Sequence, residues 1–186
     1  MSKVSTCLWF GKDAEVAVRF YVSLVPGSSL KHILRSPGIW PGGEAGDVIM
    51  VDFTLGGQSF QGLNGGAPAS YGTAASISIE CSDQAEVDRL WAALTADGGS
   101  EIMCGWLRDR WGVPWQIVPE TLPRLLTDPD PTVSARVFAA MTKMVKLDIA
   151  ALERAGRRLR QMLCVAGRGR RRRSRGGRHQ VSDFDH

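Results

Sequence analysis

Cys7-Leu8-Trp9-Phe10-Gly11-Lys12-Asp13-Ala14-Glu15-Val16-Ala17-Val18-Arg19-Phe20-Tyr21-Val22-Ser23-Leu24 is the stretch that decides the fold. A short apolar run gives way to Asp13, and Arg19, Phe20, Tyr21 and Leu24 follow at set offsets from it. Seventy residues on, Ile77-Ser78-Ile79 precedes Asp83, and Arg89, Leu90, Trp91 and Leu94 stand at the same offsets. A strand-then-helix unit written twice implies a duplicated module. The simpler alternative is one αβ protein with two similar helices.

Working outward, residues 5–10 read as a strand. Asp13 is a helix N-cap candidate with Glu15 in the first turn, where a carboxylate favours the exposed amides. Val16, Phe20 and Leu24 at i, i+4 and i+8 read as the core stripe of that helix, and Pro26-Gly27 ends it. Leu30 to Leu34 is expected to be a strand, 36–46 a Gly/Pro-rich loop, and Val48 to Leu55 a strand. Gly56-Gly57 is a hairpin signal leading into a return strand from Ser59 to Leu63. The order is therefore β-α-β-β-β. After a loop at 64–73 the pattern restarts: a strand from Ala75 to Glu80, a helix from Gln84 to Leu94, a break at Gly98-Gly99, and strands at 101–107 and 115–118. Asp128-Pro129-Asp130-Pro131 marks a boundary. Val133, Val137, Met141, Met144 and Val145 then give a helical apolar face, with Met as packing residues. Asp148 caps a last helix to about Ala155. The reading is α+β: modules at about 4–66 and 73–120, C-terminal helices at about 131–155, and an Arg/Gly-rich tail at 156–186 whose composition reads as disordered.

Charge separates body from tail. The chain of 186 residues carries a net +4. Residues 157–186 hold ten Arg and two Asp, or +8, leaving 13 Lys+Arg against 17 Asp+Glu, or −4, for residues 1–156. The basic balance thus belongs to the tail, and it does not make the body a nucleic-acid domain. Four cysteines (Cys7, Cys81, Cys104, Cys164) show no CxxC spacing; two lie in or next to expected strands, where buried free thiols fit best, and a reducing cytoplasm fits the set. No signal peptide or membrane span is visible.

The module order, with Phe10-Gly11-Lys12-Asp13-Ala14-Glu15 and Phe20-Tyr21 opening the first unit, resembles the vicinal-oxygen-chelate superfamily. That is the group of glyoxalase I, the bleomycin-resistance proteins and the extradiol dioxygenases. Leu55-Gly56-Gly57-Gln58, Leu63-Asn64-Gly65-Gly66, Cys104-Gly105-Trp106, Trp115-Gln116-Ile117-Val118-Pro119 and the Asp-Pro pair at 128–131 look most like its PhnB-like family. Members of that family are often named after a demethylubiquinone methyltransferase. No strand–turn–helix glycine motif for a nucleotide or adenosylmethionine is present, so methyl transfer is not expected.

The resemblance implies paired modules forming a curved mixed sheet around a cleft, in a homodimer. Its metal-binding members place one ligand on each of four strands, and those positions map to Thr6, Gly62, Ser76 and Gln116. Thr, Gly, Ser and Gln make a poor divalent site, so a metal is disfavoured and no cofactor is assigned. His32, the one His of the body, reads as a surface or structural residue. Glu80 is the one weak candidate for a catalytic carboxylate, with a solvated strand end as the simpler role. Cys104 lacks a His partner and reads as a buried thiol.

The expected cleft has apolar walls from Leu8, Phe10, Phe60, Val118 and Trp106 and hydrogen-bonding groups from Thr6, Asn64, Ser76, Ser78 and Gln116. Such a mixture suits a small organic ligand; sheet residues covered by a partner subunit are the alternative. Three function classes stay open. The first is small-molecule binding without a tightly held metal, and the second a metal-assisted lyase, isomerase or dioxygenase. The third and weakest is nucleic-acid association through 157–186, where Arg would engage phosphates in a salt-dependent way. On that last reading, deleting 157–186 abolishes RNA binding in a filter assay, and unchanged binding by the truncated chain ends it.

Overall fold

The computed structural model describes residues 3–67 and 70–157. The tail read as disordered lies, from residue 158, outside them, as does Cys164. The first module runs β1 (Thr6–Phe10), α1 (Ala14–Leu24), β2 (Ser29–Arg35), β3 (Val48–Leu55) and β4 (Gln58–Asn64). The second runs β5 (Ile77–Cys81), α2 (Gln84–Thr95), β6 (Ser100–Glu101), β7 (Trp106–Arg108) and β8 (Pro114–Pro119). Each contributes a four-stranded mixed sheet, in the orders β1-β4-β3-β2 and β5-β8-β7-β6. The two orders are the same, so the repeat read in the sequence is a repeat of topology. In both, the first and last strands pair in parallel, Leu8 beside Gly62 and Ser78 beside Gln116.

Local chemistry accounts for the elements. Gly56 and Gly57 both take positive φ, 54° and 86°, the pair of values a tight hairpin between twisted strands requires. Asp83 caps α2 by accepting from the Glu86 amide at 2.8 Å, and Glu86 reaches back to the Ser82 amide at 2.9 Å. This is close to a capping box. Asp13 occupies the equivalent N-cap but makes no side-chain cap bond. The Ala14 amide is bonded instead by Asn64 Oδ1 at 2.9 Å, from the far end of β4.

Three expectations are corrected. The buried stripe of α1 is Ala14, Ala17, Val18 and Tyr21, while Val16 is 63% exposed. The small alanines let α1 lie close on the sheet, and that fixes the rotation of the helix. The strand expected over 101–107 is interrupted, because Cys104 and Gly105 both turn left-handed (φ 63° and 81°) and give their amides to Met144 and Val145 oxygens. The helical face expected to run on to Met144 and Val145 stops short of them, because α4 (Pro131–Met141) ends at Met141; a short helix, α3 (Thr121–Leu126), precedes it and α5 (Ile149–Gly156) follows. These last three pack around Leu122, Val133, Val137, Leu147 and Leu152 at the end of the second module.

The modules share one core. Tyr21 of α1 packs edge-on to Trp111 and Trp115 of the second module, with centroids 5.6 and 5.0 Å apart. Beneath these rings lies Asp109, 3% exposed. Its Oδ2 accepts from the Tyr21 hydroxyl at 2.6 Å and Trp115 Nε1 at 2.9 Å, and its Oδ1 from the amides of Trp111 and Val113 at 2.9 and 3.0 Å. Burial pushes this carboxyl above the ordinary 3.8, although all four donors pull it down. The same burial, with the Asp109 charge beside it, raises the Tyr21 hydroxyl well above its usual range.

Tyr21→Phe leaves one buried acceptor site open and is expected to cost about 1–2 kcal/mol in urea unfolding. Asp109→Ala strands four donors and is expected to cost ~3 kcal/mol or more. Because the folded pKa of Asp109 is raised, its neutral form is favoured by folding. Its contribution is fully present below pH 3.8 and is lost as pH rises through the higher folded value. The stability difference between the wild type and Asp109→Asn should therefore shift against the wild type over that rise, as read by unfolding at successive pH values.

Candidate functional site

The second module shows the expected alternation. Trp115 and Ile117 are buried against the helices, while Ser78, Glu80, Gln116 and Val118 lie on the opposite face of their sheet. In the first module the helix-facing residues are Leu8, Phe10 and Phe60, all buried. Gly62 faces α1 as well, since a Cβ there would meet Val18 at 3.0 Å and Ala14 at 3.5 Å. Cys7, Trp9, Gln61 and Leu63 therefore carry the open face of β1 and β4, one residue out of step with the expected positions. The expected register counted back from Phe20-Tyr21 across Gly11–Asp13, a connection whose length strand alternation does not control.

Two adjoining recesses follow the seam where β1 and β4 approach β5. The larger, about 380 Å³, is lined by Thr6, Cys7, Leu8, Gln58, Phe60, Tyr71, Ser76, Ile77, Ser78 and the Val113-Pro114 pair. The smaller, about 280 Å³, shares Gln58, Phe60, Ile77 and Ser78 and extends to Glu80. The seam thus brings together Thr6, Leu8, Phe60, Ser76 and Ser78, with Glu80 beside them. Gln116 joins them indirectly, donating through Nε2 to Ser76 Oγ at 2.8 Å. Trp106 is half-buried on β7, paired with Gln116. Phe10 is not in the seam; its ring packs on Tyr21 and Trp111, each 6.5 Å away. Asn64 is spent on structure, accepting from Ala14 and donating to the Val48 oxygen at 2.9 Å.

Tyr71, Gln58, Cys7, Ile77, Val113 and Pro114 line the recess without having been expected in the cleft. Tyr71 was hidden in a loop rich in Gly and Ala; a lone aromatic there was the available signal. Its hydroxyl donates to the Trp9 oxygen and its own carbonyl accepts from Arg108 at 2.8 Å, so it closes one end of the seam. Burial raises that hydroxyl to about 12, keeping it a neutral donor at neutral pH. Of the thiols expected to be buried, Cys81 is, whereas Cys104 is half-buried and Cys7 exposed; partial desolvation still raises the Cys7 thiol, and burial raises Cys81, near Glu86, to about 12.

The four mapped metal positions do not fit a divalent ion. Gly62 offers no side chain, Ser76 and Gln116 are bonded to each other, and Thr6 brings only a hydroxyl. Among the described residues no three His, Cys, Asp or Glu side chains stand together to hold a metal. A catalytic site of this kind wants three such ligands.

The family described as 3-demethylubiquinone-9 3-methyltransferase matches residues 2–118, so α3, α4 and α5 lie beyond the match. A PhnB protein from Bacillus cereus is 33% identical, covering 63% of this chain and 99% of its own, with a TM-score of 0.58. Protein PA1353 from Pseudomonas aeruginosa is 23% identical over 64% of this chain and 98% of its own, at 0.53, and shares the fold. A glyoxalase/bleomycin resistance protein from Albidiferax ferrireducens T118 is 20% identical over 64% and 99%, at 0.42. No curated protein matches.

With their thiols raised, Cys7 and Cys81 should react with a disulfide reagent more slowly than free cysteine at pH 7.5, because the thiolate is the nucleophile. Mass-mapped labelling over pH 7–10 checks this, with Cys7 speeding up as pH rises and buried Cys81 staying inert until the chain unfolds.

Proposed function

Because the chain belongs to the 3-demethylubiquinone-9 3-methyltransferase family, within the vicinal-oxygen-chelate superfamily, we propose that it binds a small organic ligand in the inter-module seam without a tightly held catalytic metal. The observation that carries this is the 380 Å³ recess itself. Phe60, Leu8, Ile77 and Pro114 supply apolar wall, and Thr6, Ser76, Ser78 and Tyr71 supply polar groups around it. A largely apolar cavity with a few convergent polar groups is the usual form of a small-molecule site. Methyl transfer finds no support in these residues despite the family's description. The glycine pairs at 56–57 and 98–99 sit in turns that do not lead from a strand into a helix, so no glycine-rich phosphate cradle accompanies them.

Residues 1–155 act as the functional unit in this reading, in the cytoplasm, where Cys7, Cys81 and Cys104 stay free thiols. Among the described residues no helix is long and apolar enough to cross a membrane. A homodimer completes the picture. Leu34, Met50, Leu63 and Trp9 fall in one row across the open face of the first sheet, with Leu34 45% and Trp9 43% exposed. A continuous apolar row on an exposed sheet face marks an interaction surface, and a second copy would cover it next to the seam.

Two tests follow. Ligands from a thermal-shift screen should raise Tm by several degrees, since a hundredfold excess over Kd adds about 2.7 kcal/mol, and Ser78→Trp should abolish the shift by filling the recess. Hits that shift Ser78→Trp equally, or near-stoichiometric Zn²⁺, Ni²⁺, Mn²⁺ or Fe²⁺ retained after dialysis of the full chain, would overturn the reading. Leu34→Glu should convert the dimer to a folded monomer in light scattering after size exclusion; an unchanged mass would remove this face from the interface.

A further inference from the structure

Another cavity, about 440 Å³, lies outside the seam and shares no lining residue with it. It lies on the helix side of the first module, between the first turns of α1 and the loop joining β2 to β3. Lys12, Arg19 and Arg35 face it together with Glu15 and Asp47, three cations against two carboxylates. Glu15 is shared, taking Arg19 at 2.8 Å and Arg35 at 3.8 Å. Asp47 is occupied in the loop, accepting from the Glu44 amide at 2.9 Å. Two guanidiniums thus converge on one carboxylate beside Lys12, at the positive end of α1.

The other wall is apolar and fixed. Trp40 is held by a two-way backbone bridge to Gly43, 3.1 Å in each direction. Its ring lies so close over Gly42 that a Cβ there would meet it at 2.3 Å. The base of the loop is closed by Ser36–Asp47 and Gly46–Ser36 amide bonds of 2.8 and 2.9 Å. Val16, turned out of the core by the helix rotation described above, adds an exposed apolar side chain. The Trp40 indole N–H is shut off from solvent with no hydrogen-bond partner, a rare state for a buried donor.

We propose that this cavity is a second, separate binding site for a small organic anion. A carboxylate or phosphate would be gripped by the Arg19 and Arg35 forks in place of part of Glu15, and a flat apolar body would lie against Trp40 and Val16. Paired guanidiniums suit planar oxyanions by bidentate, charge-assisted bonds, and the volume is within the range of small-molecule sites.

The test is a titration of the full chain with benzoate, phenyl phosphate and inorganic phosphate, followed by the indole N–H signals in ¹⁵N–¹H spectra. Trp40→Phe assigns its signal, and this local readout is blind to anions held by the Arg-rich terminus. Saturable movement of the Trp40 signal by benzoate or phenyl phosphate is expected, the tighter of the two naming the anion. Arg35→Gln should weaken binding by about tenfold. Glu15→Gln should tighten it several-fold by releasing both guanidiniums, a gain that misfolding cannot mimic. A Trp40 signal that stays still at millimolar ligand, or affinity unchanged in both Arg35→Gln and Glu15→Gln, overturns the proposal. Equal affinity for inorganic phosphate overturns its apolar half.

Discussion

One buried carboxylate ties the molecule together. Asp109 leaves the second module, enters the shared core and takes donors from both sides of the join: the Tyr21 hydroxyl from 88 residues away, the Trp115 indole, and two amides of its own loop. An isolated charge in that place would be prohibitive, so the four donors are a condition of the packing. With them present, the rings of Tyr21, Trp111 and Trp115 close around it. α1 is then held against the second sheet as well as its own. Every feature of the seam depends on this, because the seam is the gap left where the modules meet.

The placement of α1 also explains why the two faces of the first sheet differ in use. Ala14 and Ala17 allow close approach, Gly62 leaves no Cβ to obstruct Val18, and Asn64 crosses from β4 to hold the helix start. The helix face is thereby sealed by a tightly packed core. The open face keeps a polar row, His32, Asp52, Gln61 and Cys7, beside the apolar row of Leu34, Met50, Leu63 and Trp9. Asp52 and Gln61 satisfy each other at 2.9 Å, and only the apolar row is left wanting a cover.

The fold was largely legible before the structure. Strand–helix–strand order, the Gly56-Gly57 hairpin and the restart near residue 75 are local signals, and the topology repeats as the sequence does. The facing of the strand residues was legible in the second module. There Ser76, Ser78 and Gln116 come from alternation read directly along each strand. In the first module the reading depended on counting through Gly11–Asp13, and Gly62, Leu8 and Phe10 turn toward the helix instead, although Thr6, Leu8 and Phe60 still line the recess. Val16 went astray for a related reason: a stripe of Val16, Phe20 and Leu24 is apolar, but the alanine-lined stripe beside it packs more closely. Side-chain size across the interface decided between them, and a single helix does not reveal its partner.

The sequence by itself determined the module order, the turns, the acidic body set against an Arg-rich end, and the poverty of metal ligands. Each of these follows from short-range spacing or composition. Only the tertiary structure decided that Asp109 is buried, that Tyr71 closes the seam, and which face of β1 meets solvent. It also decided that Arg19 and Arg35 converge on Glu15 near Trp40. Those facts join residues far apart in the chain, and their geometry is set by how closely α1 packs on the two sheets rather than by any local preference.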